Sequence, residues 1–312
     1  MNIYIKNKIF ITDYEEIPLE IMRQIKSELT FDNPEYITKV KRNLWIGKTP
    51  KYIAIYKLQD NGKNQWLELP RGYLQRLLRQ FRDYKLNNPK NKLEYHTIDK
   101  TLKLEPIEIE SKITLRDYQI EPVEKITNVN QGGLIAVCGA GKTNMAIELM
   151  CRVKQPTLWI CHTKELLNQT ITRMLATTTL LKDEIGIISE GKVEIGRKVT
   201  IGLTGTLCKR DMKDIQDRFG CIILDEAHHL PANTFYDVIT QFDAKYRYYV
   251  TATPEREDGL TDILTYEMGS AVARITLDDI KDSIIIPRLT IVKTDFQSTA
   301  TEYHDLMNDL CN

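Results

Sequence analysis

Apolar residues near the start of the chain follow short alternating and helical periods. Alternation over Ile3 to Ile5 and Ile9 to Ile11 predicts a hairpin, and the apolar spacing from Leu19 to Leu29 predicts a helix. Two later runs, Tyr52 to Tyr56 and Trp66 to Leu69, are expected to pair as strands, because an Asn-Gly dipeptide between them favours a hairpin turn.

A further helix is expected from Gly72 to Arg82, where apolar residues share one face and arginines recur every third residue on a neighbouring face. The arginines are Arg76, Arg79 and Arg82. Together these elements predict a small α+β module over residues 1–110, which ends in a polar linker before Leu115.

Five continuous apolar runs in the second part of the chain predict buried parallel strands. They are Leu134 to Val137, Thr157 to Cys161, Val199 to Gly202, Cys221 to Leu224 and Tyr246 to Val250. Helical patterns lie between them, so residues 111–286 are expected to form an α/β unit: a parallel sheet with helices on both faces. Residues 287–312 are interpreted as a linker or the start of a further lobe.

Composition limits the class of protein. At 312 residues, 42% of them hydrophobic, the chain can bury a sizeable core and is expected to form about two domains. It has neither a long apolar run nor a signal-peptide pattern, so we expect no membrane segment and a cytoplasmic location. The six cysteines lack Cys-x-x-Cys spacing, which favours reduced thiols.

The net charge is zero, but the basic residues are concentrated in one region. Between Lys39 and Lys92 there are fourteen lysines and arginines, three acids and several interleaved aromatic residues. This pattern favours a nucleic-acid contact by the N-terminal module, with Arg76 and Arg79 among the contacts. The alternative is a solvated basic face with Trp45 and Trp66 in the core.

A glycine loop follows the first apolar run and precedes a helical pattern. Such a loop can turn its backbone N–H groups toward a polyphosphate, while a lysine reaches the β and γ phosphates and a threonine offers its hydroxyl to Mg²⁺. The residues expected around the phosphates are Gly139, Ala140, Gly141, Lys142, Thr143 and Asn144. The P-loop pattern has its first glycine at the position where this chain has Ala136.

Two acids, Asp225 and Glu226, follow another buried strand. Acids at the carboxyl edge of a parallel sheet lie where α/β proteins bind ligands. We expect Asp225 to hold Mg²⁺ and Glu226 to orient and deprotonate an attacking water.

These segments, with Thr251-Ala252-Thr253-Pro254, resemble motifs I, II and III of superfamily 2 helicases and translocases, over roughly Leu115 to Pro287. The resemblance implies a RecA-like P-loop lobe that binds ATP and Mg²⁺. Arg116 and Gln119 lie in a stretch similar to the family's Q-motif, which implies an adenine contact. The Arg-Glu-Asp run resembles an element of the XPB-like branch. The residues that the resemblance assigns to coupling are His228, Thr251, Thr253, Arg256, Glu257 and Asp258.

Other segments resemble the family's backbone-contact motifs. The nucleic-acid contacts that they imply are Thr163, Lys164, Thr204, Gly205 and Thr206. The implied activity is ATP-dependent movement on DNA, with RNA not excluded. Phage recombination helicases and restriction-type translocase subunits carry similar motors and are alternatives to the XPB-like branch. An ATP-sensing, nucleic-acid-binding regulator is a further alternative. The family's motors need a second RecA-like lobe, in cis or in trans, so we expect these residues alone to hydrolyse ATP poorly.

Overall fold

The computed structural model describes residues 1–62, 64–227, 232–252 and 261–281, without the side chains of residues 232–235 and 261. The helices in these ranges are α1 (Leu19–Glu28), α2 (Pro34–Lys41), α3 (Leu74–Asn87), α4 (Asp117–Thr127), α5 (Lys142–Val153), α6 (Lys164–Thr177), α7 (Thr204–Leu207), α8 (Ala232–Ile239), α9 (Thr261–Met268) and α10 (Leu277–Ile280). None of them combines the length and apolar character needed to cross a membrane.

Within the same ranges the strands form three sheets. The strands are β1 (Asn2–Ile5), β2 (Ile9–Thr12), β3 (Thr30–Asp32), β4 (Tyr52–Ala54), β5 (Lys57–Asp60), β6 (Gln65–Leu69), β7 (His96–Asp99), β8 (Gln131–Ala136), β9 (Thr157–Cys161), β10 (Ile185–Ser189), β11 (Lys192–Val193), β12 (Val199–Leu203), β13 (Cys221–Asp225), β14 (Tyr246–Thr251) and β15 (Ala271–Ile275).

The N-terminal sheet has the order β5-β6-β2-β1-β7 and contains the expected β1–β2 hairpin. The expected pairing of Tyr52 to Tyr56 with Trp66 to Leu69 is wrong. Instead β5 pairs with β6, and β4 pairs with β3 in a separate ribbon. The Ile55 N–H donates to the carbonyl of Leu29, one position beyond the β3–β4 pairs, and pairing in the other sheet begins at Lys57.

The larger sheet confirms the α/β fold class. Its order is β11-β10-β12-β9-β13-β14-β8-β15, and every neighbouring pair except β10 and β11 is parallel. All residues of β9 and β13 are buried, although successive side chains point to opposite faces. Both faces are therefore covered, as the continuous apolar runs predicted.

Two elements differ from the sequence expectation. The helix expected from Gly72 to Arg82 begins at Leu74 after a 3-10 turn and continues to Asn87, because no proline follows until Pro89. The loop expected after Gly202 is the short helix α7, whose Thr204 hydroxyl donates to the carbonyl of Cys161 at 2.9 Å.

Buried arginines join the N-terminal module to the larger sheet. Arg71 donates to the carbonyls of Ala244 and Lys245, and Arg247 donates to those of Asn7 and Phe242. Residues 1–280 consequently form one compact unit.

Apolar contact and close backbone approach reinforce this joint. The Tyr73 ring packs edge-on against Tyr266 of α9, with ring centroids 5.4 Å apart. A Cβ at Gly72 would lie within 2.6 Å of the backbone of Thr265, Tyr266 and Gly269, so only glycine fits there.

Candidate functional site

The glycine loop between β8 and α5 has the backbone of a phosphate-binding turn. Gly139 and Gly141 have φ angles of 85° and 82°, in the region that favours glycine. α5 begins at Lys142, so its N-terminal N–H groups and its positive dipole end face the loop. Gly139 is exposed, whereas Ala140 and Lys142 are buried.

The Gln119 side chain is hydrogen-bonded to this loop. Its side-chain nitrogen donates to the carbonyl of Ala140 at 2.7 Å, and its oxygen accepts from the Arg116 N–H at 3.0 Å. A Cβ at Gly141 would lie 2.6 Å from the same nitrogen. The Gln119 amide therefore supports the phosphate loop, a contact that the sequence did not predict. The adenine contact implied for Arg116 and Gln119 stays a prediction.

The acid pair lies beside the lysine. Asp225 is the last residue of β13, and Glu226 follows it. The Lys142 ammonium is 3.4 Å from Oε1 of Glu226, with 9% of the lysine side chain and 22% of the glutamate side chain exposed. Residues more than eighty positions apart in the sequence are thus brought to one point by the parallel sheet.

Burial and neighbouring charges change the pKa of the Asp225 carboxyl. Its pKa is raised to about 6, first by burial and then by the charge of Glu226, while Lys142 lowers it. Two adjacent carboxylates beside this ammonium favour a further cation at the same point.

Glu226 has a strained backbone. Its φ of 53° lies in the left-handed region, which glutamate rarely adopts. Such strain persists where the surrounding structure fixes a side chain in a required direction, and it is common at functional sites.

The residues at this point suit Mg²⁺ better than zinc. Within the described ranges, His, Cys, Asp and Glu do not form a cluster of three that could hold a metal ion. Magnesium is bound in nucleotide sites by one or two protein oxygens, with water and phosphates completing its ligands. Asp225 and the half-buried Thr143 offer that donor set.

Two residues flank the loop. Asn144 in the first turn of α5 accepts from Arg173 of α6 at 3.1 Å. Sequence reasoning missed Arg173, because nothing in its local pattern indicates this contact. Arg116 is exposed and donates to the Tyr118 hydroxyl at 2.8 Å, so it lies at the surface next to Gln119.

Among the predicted coupling residues, Thr251 lies within the described ranges. It is fully buried at the end of β14, which lies between β8 and β13 and therefore between the phosphate loop and the acid pair. The other coupling residues, His228, Thr253, Arg256, Glu257 and Asp258, lie outside the described residues.

The predicted nucleic-acid contacts in the larger sheet are not equally accessible. Thr204 and Thr206 are buried, and the Thr204 hydroxyl is already bonded. The nucleic-acid contact that the resemblance implies for these two threonines stays a prediction. Gly205 and Lys164 are exposed, and Thr163 caps α6 by accepting from the Leu166 N–H at 3.2 Å.

The N-terminal module presents its basic residues in two ways. Arg76 forms an ion pair with Glu28 at 2.7 Å, which raises the pKa of its guanidinium, so it is partly committed to the module itself. Arg79 is exposed. Trp66 is half-buried, but Trp45 is 87% exposed, so Trp45 does not lie in the core.

Comparison with known proteins gives this geometry a context. Residues 112–256, which contain the phosphate loop and the acid pair, match the family described as Type III restriction enzyme, res subunit. A putative ATP-dependent RNA helicase of Acanthamoeba polyphaga mimivirus is 29% identical over 306 residues, which are 96% of this chain and 52% of that protein. The DNA 3'-5' translocase XPB2 of Sulfurisphaera tokodaii is 30% identical over 177 residues, covering 57% of this chain and 39% of that protein.

The chain thus spans about half the length of the first relative and less of the second. Among solved structures, the UvsW helicase from bacteriophage T4 matches with a TM-score of 0.57 and 15% identity, covering 88% of this chain and 100% of that chain. At this identity the likeness concerns the fold, and its coverage extends into the N-terminal module.

Proposed function

We infer that this chain, which carries the first RecA-like lobe of a superfamily 2 helicase of the XPB-like or restriction-type branch, binds ATP with Mg²⁺ and couples its hydrolysis to movement on DNA. One observation carries the inference: the Lys142 ammonium and the acid pair converge beside a glycine loop that begins a helix. The relatives support it, because their names describe ATP-dependent helicases and DNA translocases.

Each residue of the site has a proposed role. The loop N–H groups and Lys142 bind the triphosphate, and Thr143 and Asp225 hold Mg²⁺. When bound, the metal neutralises charge that develops on the phosphates. Glu226 orients the attacking water and accepts its proton.

The ATP site is proposed to signal through β14. Thr251 ends this strand between the two strands that carry the phosphate loop and the acid pair. A shift of either neighbour on hydrolysis would reach Thr251 through the sheet hydrogen bonds. His228, Thr253 and the Arg256 to Asp258 run are proposed to continue this path.

A second RecA-like lobe, in cis or in trans, is proposed to complete the site. The tip of the phosphate loop at Gly139 is exposed, so a bound phosphate would be open to a second surface. Arginines from that surface would stabilise the transition state, and their contribution is several orders of magnitude in rate.

A restriction-type translocase subunit is the second candidate, and the family match over residues 112–256 favours it. The same ATP site would then drive movement that serves a nuclease. The two candidates share every role given above and differ in the partner that uses the motion.

Calorimetric titration with ATP and Mg²⁺ tests the site, and DNA-stimulated hydrolysis in the presence of the second lobe tests the motor. We expect binding in the first experiment and stimulation in the second. Binding without stimulation would indicate an ATP-sensing regulator. If the protein takes up no magnesium-nucleotide complex at millimolar ligand, the proposed function is wrong.

A further inference from the structure

We propose that the loop around Trp45 binds single-stranded nucleic acid, with the indole ring stacked on an unpaired base and the neighbouring lysines and arginines on the phosphates. The Trp45 loop comprises residues 42–51, between α2 and β4. The proposal rests on the proposed function, because it names a second point at which the motor would hold its strand.

The exposure of Trp45 is the first observation. At 87% exposed, it has the largest exposed fraction among the large apolar side chains of the described ranges, whereas Trp159 is fully buried. A buried indole contributes strongly to a core, so an indole held in water gives up that stabilisation unless a ligand covers it. Base faces are the natural partner of an exposed ring beside cations.

The loop holds the ring in a defined position. The Leu44 N–H donates to the carbonyl of Lys39 at 2.8 Å, and the buried Asn33 amide donates to the carbonyl of Pro50 at 2.8 Å. Both ends of the loop are therefore tied to the module. A stacking platform fixed in this way loses little entropy when a base binds.

Gly47 makes room for the indole. Its φ is 57°, and a Cβ built there would lie 2.8 Å from Cζ3 of Trp45. The six-membered ring thus lies against backbone at Gly47, a position that any side chain would obstruct. The rest of the ring is left to solvent.

The charge around the ring fits a polyanion. Residues 36–59 contain six lysines and arginines and no acid. They are Lys39, Lys41, Arg42, Lys48, Lys51 and Lys57. Lys39 pairs with Glu35 at 2.7 Å, and this is the only ion pair of the six within the described part of the chain. The other five are exposed.

The pattern favours single strands over the other occupants. A duplex keeps its base faces stacked inside, so an indole could reach them only at an end or an opened pair. A protein partner would need continuous apolar area, but along the sequence lysines and arginines stand between the exposed Val40, Leu44 and Tyr52. Phosphates at the cations and a base on the ring use both features at once.

The test is fluorescence-anisotropy binding of a labelled oligothymidylate, about twenty nucleotides long, to the 312-residue chain. We expect Trp45→Ala to weaken binding by about ten-fold, the loss of one stacked base, and Trp45→Phe to restore most of it. Gly47→Ala should weaken binding because it displaces the ring. Lys48→Gln should reduce the slope of log affinity against log salt by about 0.7.

Leu181→Ala is the control and should leave oligothymidylate affinity unchanged. It removes another exposed apolar side chain, which is 62% exposed and lies outside the Trp45 loop. Equal oligothymidylate affinity for wild type and Trp45→Ala would overturn the proposal. So would a self-association that Trp45→Ala abolishes while strand binding persists, because the loop would then be a protein interface. Magnesium-ATP binding is measured on the same samples: its loss in the wild type contradicts the proposed function, whereas an inert Trp45 with intact ATP binding contradicts this inference alone.

Discussion

The Lys142 ammonium lies 3.4 Å from a carboxylate oxygen of Glu226, so a charged contact connects the phosphate loop to the end of β13. The same ammonium is proposed to contact the β and γ phosphates. A bound nucleotide would therefore compete with Glu226 for Lys142. Release of Glu226 from the lysine would leave its carboxylate available to a water at the moment when the phosphates are in place.

Replacing Lys142 with alanine should remove nucleotide binding. The change deletes the ammonium that lies beside the acid pair. The negative phosphates would then lie near two carboxylates with no lysine charge to offset the repulsion. We expect the affinity for magnesium-ATP to fall by about 100-fold or more in calorimetry. Lys125→Ala, at an exposed lysine paired with Glu121, is the matched control and should bind as wild type does. Retained affinity in Lys142→Ala would contradict the assignment of the loop.

Replacing Glu226 with glutamine should separate binding from turnover. The amide cannot accept the proton of the water, and it no longer competes as a carboxylate for Lys142. We expect magnesium-ATP affinity equal to or higher than that of wild type, with DNA-stimulated hydrolysis lost in the presence of the second lobe. Equal turnover by both proteins would remove Glu226 from its role as the base.

Metal-dependent nucleotide binding should weaken in mild acid. The pKa of Asp225 is raised to about 6, so the carboxylate that would hold Mg²⁺ becomes protonated as the pH falls below that value. We expect the magnesium-ATP affinity to fall by up to about ten-fold per pH unit below this point. A titration without the metal is the control, because the nucleotide phosphates also take up protons. Identical pH profiles with and without Mg²⁺ would argue against Asp225 as a ligand.

A methyl group at Gly141 should distort the phosphate loop. The φ of 82° disfavours alanine, and the added Cβ would lie 2.6 Å from the Gln119 nitrogen that holds Ala140. We expect Gly141→Ala to lower the free energy of unfolding by about 1–3 kcal/mol and to weaken ATP binding. Gly205→Ala is the control, because a methyl group there would have nothing within 4 Å of it. Urea unfolding curves that coincide for Gly141→Ala and wild type would contradict this interpretation.

Glu267 should make folding stability fall as the pH rises. It is fully buried, and burial raises its pKa from 4.5 to about 7, although Arg247 lowers it. The folded protein therefore holds a proton that the unfolded chain releases. This contribution is fully present below about pH 4.5 and is lost as the pH rises through about 7, a change of up to about 3 kcal/mol.

Urea unfolding of wild type and Glu267→Gln at about pH 5 and about pH 8 measures this effect. Glutamine has no charge to bury at either pH, so the variant should lose less stability than wild type over this interval. Parallel losses in both proteins would mean that other groups cause the pH dependence.

The parts of the candidate ATP site could be found from the sequence because each of them is local. Gly139 to Thr143 and the Asp225-Glu226 pair each lie at a strand end, and a parallel sheet brings strand ends together without further information. The expected strand from Thr157 to Cys161 has those bounds in the structure for a similar reason: its continuous apolar run can only be buried on both faces.

Pairing and burial at longer range could not be predicted in this way. Alternation over Tyr52 to Tyr56 indicates a strand but not its partner, so the pattern alone assigns β4 to the wrong neighbour. The Thr204 hydroxyl is in a polar segment, which suggests that it is free to bind a ligand. Only the structure shows that it donates instead to the carbonyl of Cys161. The Gln119 contact with Ala140 likewise depends on how α4 packs below the loop.

The hydrogen bonds that Arg71 and Arg247 donate at the joint between the module and the larger sheet all end on main-chain oxygens. Arg71 and Arg247 donate to carbonyls of Ala244, Lys245, Asn7 and Phe242, and carbonyl groups are supplied by every residue type. Substitutions at those acceptor positions would therefore preserve the joint as long as the backbone keeps its path. Loss of either guanidinium, by contrast, would leave buried carbonyls without a donor.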